Sequence, residues 1–140
     1  MNKGLNDRKE YEYIVLPCNL EVLLVSTNKV HAEGNVETSQ KSAAALSVQV
    51  GSFADPQVAE GCAHFLEHMV FMGSAKYPDE NHYDSFVTTH GGSCNAFTEG
   101  EYTCYQFDVD SPHFAEALDI FIQCIRAPLL AASAAEREIR

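Results

Sequence analysis

The spacing of hydrophobic positions changes several times along the chain, and each change marks a predicted element. Tyr11–Leu16 and Glu21–Ser26 are short β-branched and aromatic runs joined by Pro17–Leu20, which predicts two strands and a turn. Residues 27–41 are polar and aperiodic, so they read as a loop, and residues 1–10 read as a flexible lead-in. From Ser42 to Gly51, Ala44, Leu46, Val48 and Val50 alternate with Ala43, Ala45, Ser47 and Gln49, the pattern of a half-buried strand. Between Val58 and Met72 the period becomes helical and stops at Gly73. Pro78-Asp79-Glu80 opens a second helix with the stripe Tyr83, Phe86 and Val87, closed by Gly91-Gly92. Cys94–Thr98 and Glu101–Val109 predict a hairpin around Glu99-Gly100. With Thr98 opposite Glu101, Asn95 faces Cys104 and Cys94 faces Tyr105. Side-chain alternation then sends Cys94 and Cys104 to opposite faces, too far apart for a disulfide.

Ser111-Pro112 caps a third helix with the stripe Phe114, Leu118, Phe121, Ile122 and Ile125. Pro128 interrupts it, and Ala131–Arg140 begins a further helix that meets the C-terminus with no stop signal, so the chain reads as a cut one. Together the elements predict an α+β fold, an antiparallel sheet with helices packed on one side.

Composition narrows the possibilities. With 46% hydrophobic and 21% charged residues in 140, the sequence has the makings of one packed unit rather than a disordered segment. No apolar run approaches the roughly 18 residues that a bilayer requires, so no membrane partner is expected. Five cysteines, an odd number with no CxxC pair, read as reduced thiols and predict a cytoplasmic location. Charge is uneven: residues 42–125 hold twelve acids and the single base Lys76. Such a segment repels phosphate backbones, which argues against nucleic acid, and attracts basic peptides at long range.

Chemistry concentrates in His64-Phe65-Leu66-Glu67-His68. Residues four apart share a helix face one turn apart, so two imidazoles at that spacing can hold one Zn²⁺. Glu67, three after His64, flanks the same face and can accept a proton from a water that the metal activates. A His pair at this spacing with Glu before the second His arises in about one chance in forty at this composition. The neighbours Phe65, Leu66, Met69 and Val70 predict a helix buried in a core, where uncoordinated imidazoles would be costly. Glu60, four before His64, reads as a solvated helix-start residue, and Cys62 as a small buried filler. His90 reads as a helix C-terminal dipole partner, while His82 falls in a helix stripe and His31 and His113 receive no role.

HxxEH is the inverzincin signature. The run GCAHFLEHMVFMGSAKYPDENHYDSFVTTHGGSCNAFTEGEYTCYQFDV resembles the insulysin, nardilysin and pitrilysin family of zinc endopeptidases, and HFLEHMVFMGSAKYPDEN with HGGS is most similar to the nardilysin-like branch. The resemblance extends from about Asp7 to Arg140. It implies Zn²⁺ as cofactor, His64 and His68 as ligands, and Glu67 as general base. It also implies that Glu138 supports the site from the second shell and that the third ligand lies past Arg140. Asn95, Ala96 and Phe97 match the edge strand that binds substrate backbone, and Phe71 matches a residue near the pocket for the side chain before the scissile bond. Family members use four homologous domains, and this chain corresponds to part of the first. Peptides, basic ones among them, are the implied substrates, and the family's remaining domains the implied partners. The alternative is a truncated chain that binds zinc or peptides without turnover.

Overall fold

The computed structural model describes residues 3–7, 9–26, 29–30, 36–37 and 40–139. The chain divides into two compact units, Met1–Gln40 and Lys41–Arg140.

In the first unit, β1 (Glu10–Val15) pairs antiparallel with β2 (Glu21–Ser26), Glu10 opposite Ser26 and Val15 opposite Glu21. The turn between them closes with the Asn19 amide donating to the Leu16 carbonyl. Asn19 sits there at φ 63°, a left-handed conformation that asparagine tolerates better than most side chains. The predicted loop over 27–41 is in part extended. Lys29–Val30 (β3) and Val36–Glu37 (β4) form a two-residue antiparallel ladder, and Lys41 already begins the next strand. Residues 27–28, 31–35 (His31 included) and 38–39 of that stretch lie outside the described residues.

The second unit is a three-stranded antiparallel sheet in the order β5-β7-β6, built from β5 (Lys41–Val48), β6 (Ser93–Thr98) and β7 (Thr103–Asp110). Ala44, Leu46 and Val48 face the helices, as the alternation predicts, but a bend at Gln49 releases Val50, which is half exposed. The hairpin differs from the sequence expectation. Thr98 pairs with Thr103, Asn95 with Gln106 and Cys94 with Phe107, because the loop is four residues long and closed by the Glu99 amide on the Tyr102 carbonyl. The register moves by two, which preserves face parity. Cys94 stays on the helix side and Cys104, opposite Phe97 and Ser47, on the open face.

Helices α1 (Cys62–Val70), α2 (His82–Thr89) and α3 (Phe114–Arg126) pack on one sheet face, and a short α4 (Ala132–Glu138) follows. Ser111–His113 is a 3₁₀ turn leading into α3. The buried stripe of α3 is Ala117, Ile120, Phe121 and Cys124, which shares only Phe121 with the expected Phe114, Leu118, Phe121, Ile122 and Ile125. Ile122 is exposed, whereas Phe114, Leu118 and Ile125 pack at the core margin. Phe121, Tyr83, Phe107 and Phe71 form the aromatic centre of the core. Among the described residues no helix is long and apolar enough to cross a membrane.

Two thiols in this unit make its stability pH-dependent. Burial, aided by the carboxylate of Asp84, pushes the Cys94 thiol up to about 11, and burial pushes Cys124 up to about 11. Both lie above the ordinary thiol value of 9.0, so the folded state holds these protons more tightly than the unfolded chain does. That contribution is complete below pH 9 and is lost as pH rises through about 11. The urea midpoint of the protein is therefore expected to fall between pH 9 and 11, and Cys124→Ala to flatten the fall. A midpoint constant across that window would refute the assignment.

Candidate metal centre

The centre is assembled by a chain of local constraints. Gly51 lies so close to the hairpin loop that a Cβ there would meet the Glu99 carbonyl oxygen at 2.2 Å, so only glycine fits. This contact lets the Ser52 amide donate to the Glu99 carbonyl and the Phe53 amide to the Gly100 carbonyl. The tip of the β6–β7 hairpin is thereby tied to the segment that precedes α1. Asp55 in that segment accepts hydrogen bonds from the amides of Gly61 and Ala63, both at 2.8 Å, and so satisfies the N-terminus of α1. Gly61, at φ 88°, breaks the helical run, so α1 begins at Cys62 and not at Val58. Glu60 is therefore in a turn outside the helix, exposed to solvent as expected but not at a helix start. Cys62 is exposed rather than a buried filler.

Within α1, the face carrying His64 and His68 is exposed, while Glu67, Met69 and Val70 turn inward. The expectation of a helix buried around its imidazoles is thus overturned: Leu66 is also exposed, and the apolar contacts come from Met69 and Val70. Glu67 is only 9% exposed. His64 Nε2 and His68 Nε2 lie 3.2 Å apart with their rings at 89°. One potential ligand atom from each of His64, Glu67 and His68 falls within 4.8 Å of the others, and among the described residues this is the one such cluster.

The far side of the centre comes from α4. α1 ends at Val70, three residues before the expected stop at Gly73 (φ 85°), whose carbonyl accepts from the Leu129 amide. Ser74 and Pro128 form an antiparallel bridge, so the ends of α1 and α3 are laced together and α4 departs beside α1. Arg137 of α4 pairs with Glu80. Its neighbour Glu138 then reaches His68, Oε2 to Nδ1, at 3.1 Å. With Nδ1–H donating to that carboxylate, His68 keeps its Nε2 lone pair for a metal. A tetrahedral zinc with bonds of about 2.0–2.1 Å sets its ligand nitrogens about 3.3–3.4 Å apart, so the 3.2 Å separation fits the ion.

The other sequence-derived residues fall close by. Asn95, Ala96 and Phe97 lie on β6, an outer strand of the sheet order, with Asn95 and Phe97 on the open face and Ala96 toward the helices. Phe71, at the end of α1, stacks on Tyr83 at 4.5 Å and meets Tyr105 edge-on. His90 Nδ1–H donates to the Phe86 carbonyl (2.8 Å), as a helix-end residue should, and its ring lies 3.9 Å from that of His113. His82 stacks on Tyr77. One contact was not legible in the motif: the Thr98 hydroxyl donates to Glu67 Oε2 at 2.6 Å, from 31 residues away.

The sequence profile described as Insulinase (Peptidase family M16) matches residues 30–140. The chain belongs to peptidase family M16, the insulinase family. Peptidases of this M16 family are metal-dependent, which agrees with the His64, Glu67 and His68 cluster. The M16 chain is 49% identical over 138 residues to "Insulin-degrading enzyme-like 1, peroxisomal" of Arabidopsis thaliana, a match covering 99% of this chain and 13% of that protein. It is 57% identical over 109 residues to nardilysin of Homo sapiens, covering 77% of this chain and 10% of that protein. The crystal structure of pitrilysin superposes with a TM-score of 0.87 at 38% identity, over 98% of this chain and 14% of that one. This M16 chain therefore spans a small part of the length of the relatives it matches.

Proposed function

We propose that the chain carries the zinc-binding part of a metalloendopeptidase that hydrolyses peptide bonds, basic peptides among its substrates. The observation that carries this reading is the 3.2 Å approach of His64 Nε2 and His68 Nε2 beside the buried Glu67. His64 and His68 would hold the zinc, with a third protein ligand supplied from beyond Arg140. When bound, zinc supplies a Lewis acid and lowers the pKa of an attached water to about 7. Glu67 takes a proton from the attacking water and returns it to the leaving amine, from the buried side of the exposed imidazole pair. Glu138 fixes the tautomer and orientation of His68.

Asn95, Ala96 and Phe97 would receive the substrate as an added strand, since the outer edge of β6 has backbone groups available to a peptide. Phe71 would border the pocket for the residue before the scissile bond. The acids of residues 42–125 favour basic peptides through long-range attraction that weakens with salt. Further domains of the family architecture would enclose the substrate. The odd cysteine count supports a reducing, cytoplasmic setting.

Zinc titration by calorimetry tests the reading. Glu138→Gln is expected to weaken zinc binding by about 10–100-fold, because the lost charge no longer raises the basicity of His68. Zinc affinity equal to that of the unsubstituted protein would remove Glu138 from the site. Failure of the unsubstituted protein to bind zinc at all would sink the proposed centre.

A further inference from the structure

Glu67 has two carboxylate oxygens, and the structure treats them differently. Oε2 receives the Thr98 hydroxyl at 2.6 Å, within the short range of hydroxyl-to-carboxylate bonds. Among the described residues no hydrogen bond reaches Oε1. Thr98 closes β6 on the face it shares with Cys94 and Ala96, toward the helices, and α1 packs against that strand. Behind it stands Thr103, its register partner, which is 4% exposed. The Thr103 hydroxyl donates to the Val50 carbonyl at 2.9 Å, so its single proton is committed. The two threonine oxygens lie 3.4 Å apart. The Thr98 proton thus has one good acceptor, Glu67 Oε2, and its direction is set by the wall behind it.

We propose that Thr98 is a positioning residue for Glu67, holding Oε2 so that Oε1 is the oxygen that takes the proton. The inference rests on the reading of Glu67 as general base. A glutamate has three rotatable side-chain bonds, and a hydrogen bond to one oxygen restricts the rotamers it can adopt. Thr98 is stiff at χ1, lies in a paired strand, and is backed by a buried residue. It therefore transfers the rigidity of the sheet to an oxygen on the helix. A base displaced by about 1 Å loses on the order of 10²-fold in rate, so a tether of this kind is read in turnover and not in binding.

The test uses the protein extended to the full length of its relatives, with zinc and a fluorogenic basic peptide. Thr98→Val keeps the shape and removes the hydroxyl. It is expected to lower kcat by about 10–100-fold, with KM and zinc affinity within about twofold of the unsubstituted protein. Thr98→Ser restores the hydroxyl and is expected to recover kcat to within about threefold. In a Glu67→Gln background, Thr98→Val is expected to cause no further loss, since the proton acceptor is already gone. If Thr98→Val does not fold, Thr98→Ala against Thr98→Ser isolates the same hydroxyl. A readout free of turnover is the melting temperature: Thr98→Val combined with Glu67→Leu should fall short of the sum of the two single shifts. Unchanged kcat in Thr98→Val, no recovery by serine, or additive melting shifts would overturn the proposal. Absence of zinc-dependent hydrolysis in the unsubstituted protein would instead overturn the reading of Glu67 itself, and this proposal with it.

Discussion

Glu67→Gln, made in a chain extended to the relatives' full length, is expected to keep zinc and to lose about 10²–10⁴-fold in peptide hydrolysis. The substitution conserves volume, so Met69 and Val70 keep their packing and α1 keeps its place on β6. The amide oxygen of the new side chain still accepts from Thr98, which leaves the tether and the neighbouring Thr103 undisturbed. What disappears is the capacity to hold a proton. Glu67 is 9% exposed, so its carboxylate is held inside the fold while the imidazoles stand at the surface. Zinc affinity is spared because the two imidazoles, and not this carboxylate, supply the nitrogens 3.2 Å apart. The checks are single-turnover hydrolysis with zinc saturation measured in parallel. Turnover near the unsubstituted rate would exclude Glu67 as the base, and loss of zinc along with activity would make it a ligand.

The motif was readable because a helix converts sequence spacing into distance. His64 and His68, four apart, had to share a face, and Glu67 had to lie beside them. The strands were equally legible where alternation was strict, as along Ala44, Leu46 and Val48. What spacing does not encode is contact between distant segments. Asp55 caps α1 from outside the helix, and Gly61 breaks the run at φ 88°, so the predicted start at Val58 was too early. The hairpin register depended on a loop of four residues, and Glu99-Gly100 is equally compatible with a loop of two. On α3 the buried positions include Ala117 and Cys124, small residues that a search for large apolar side chains passes over. The approach of Glu138 to His68 depends on the Ser74 bridge to Pro128 and on Arg137 pairing with Glu80, all set by tertiary structure. The family resemblance named Glu138, and geometry explains how it reaches the site. For Thr98, neither spacing nor resemblance pointed to the Glu67 carboxylate.

The second large effect concerns the imidazoles. In the 140-residue chain zinc is expected to bind weakly, because two histidines supply half of a tetrahedral shell. His64→Ala or His68→Ala is expected to abolish that binding, since a single imidazole cannot chelate. The two substitutions are not equivalent in their surroundings. Loss of His68 also strands Glu138, whose Oε2 faces Nδ1 at 3.1 Å, whereas among the described residues no such carboxylate contact holds His64. His68→Ala is therefore expected to loosen α4 as well, seen as faster amide exchange over residues 132–138. Calorimetry reads the affinity directly. The melting temperature reads it independently, because zinc at about 100 times its Kd stabilises a folded site by about 2.7 kcal/mol by mass action. For a unit the size of Lys41–Arg140 that amounts to a shift of about 10 °C or more, which each alanine variant should lose completely. His82→Ala is the control, as its ring stacks on Tyr77 away from the cluster and its zinc response should match the unsubstituted chain. If the His64→Ala, His68→Ala double variant binds zinc as well as the parent chain, the ion is held elsewhere and the helix centre is refuted.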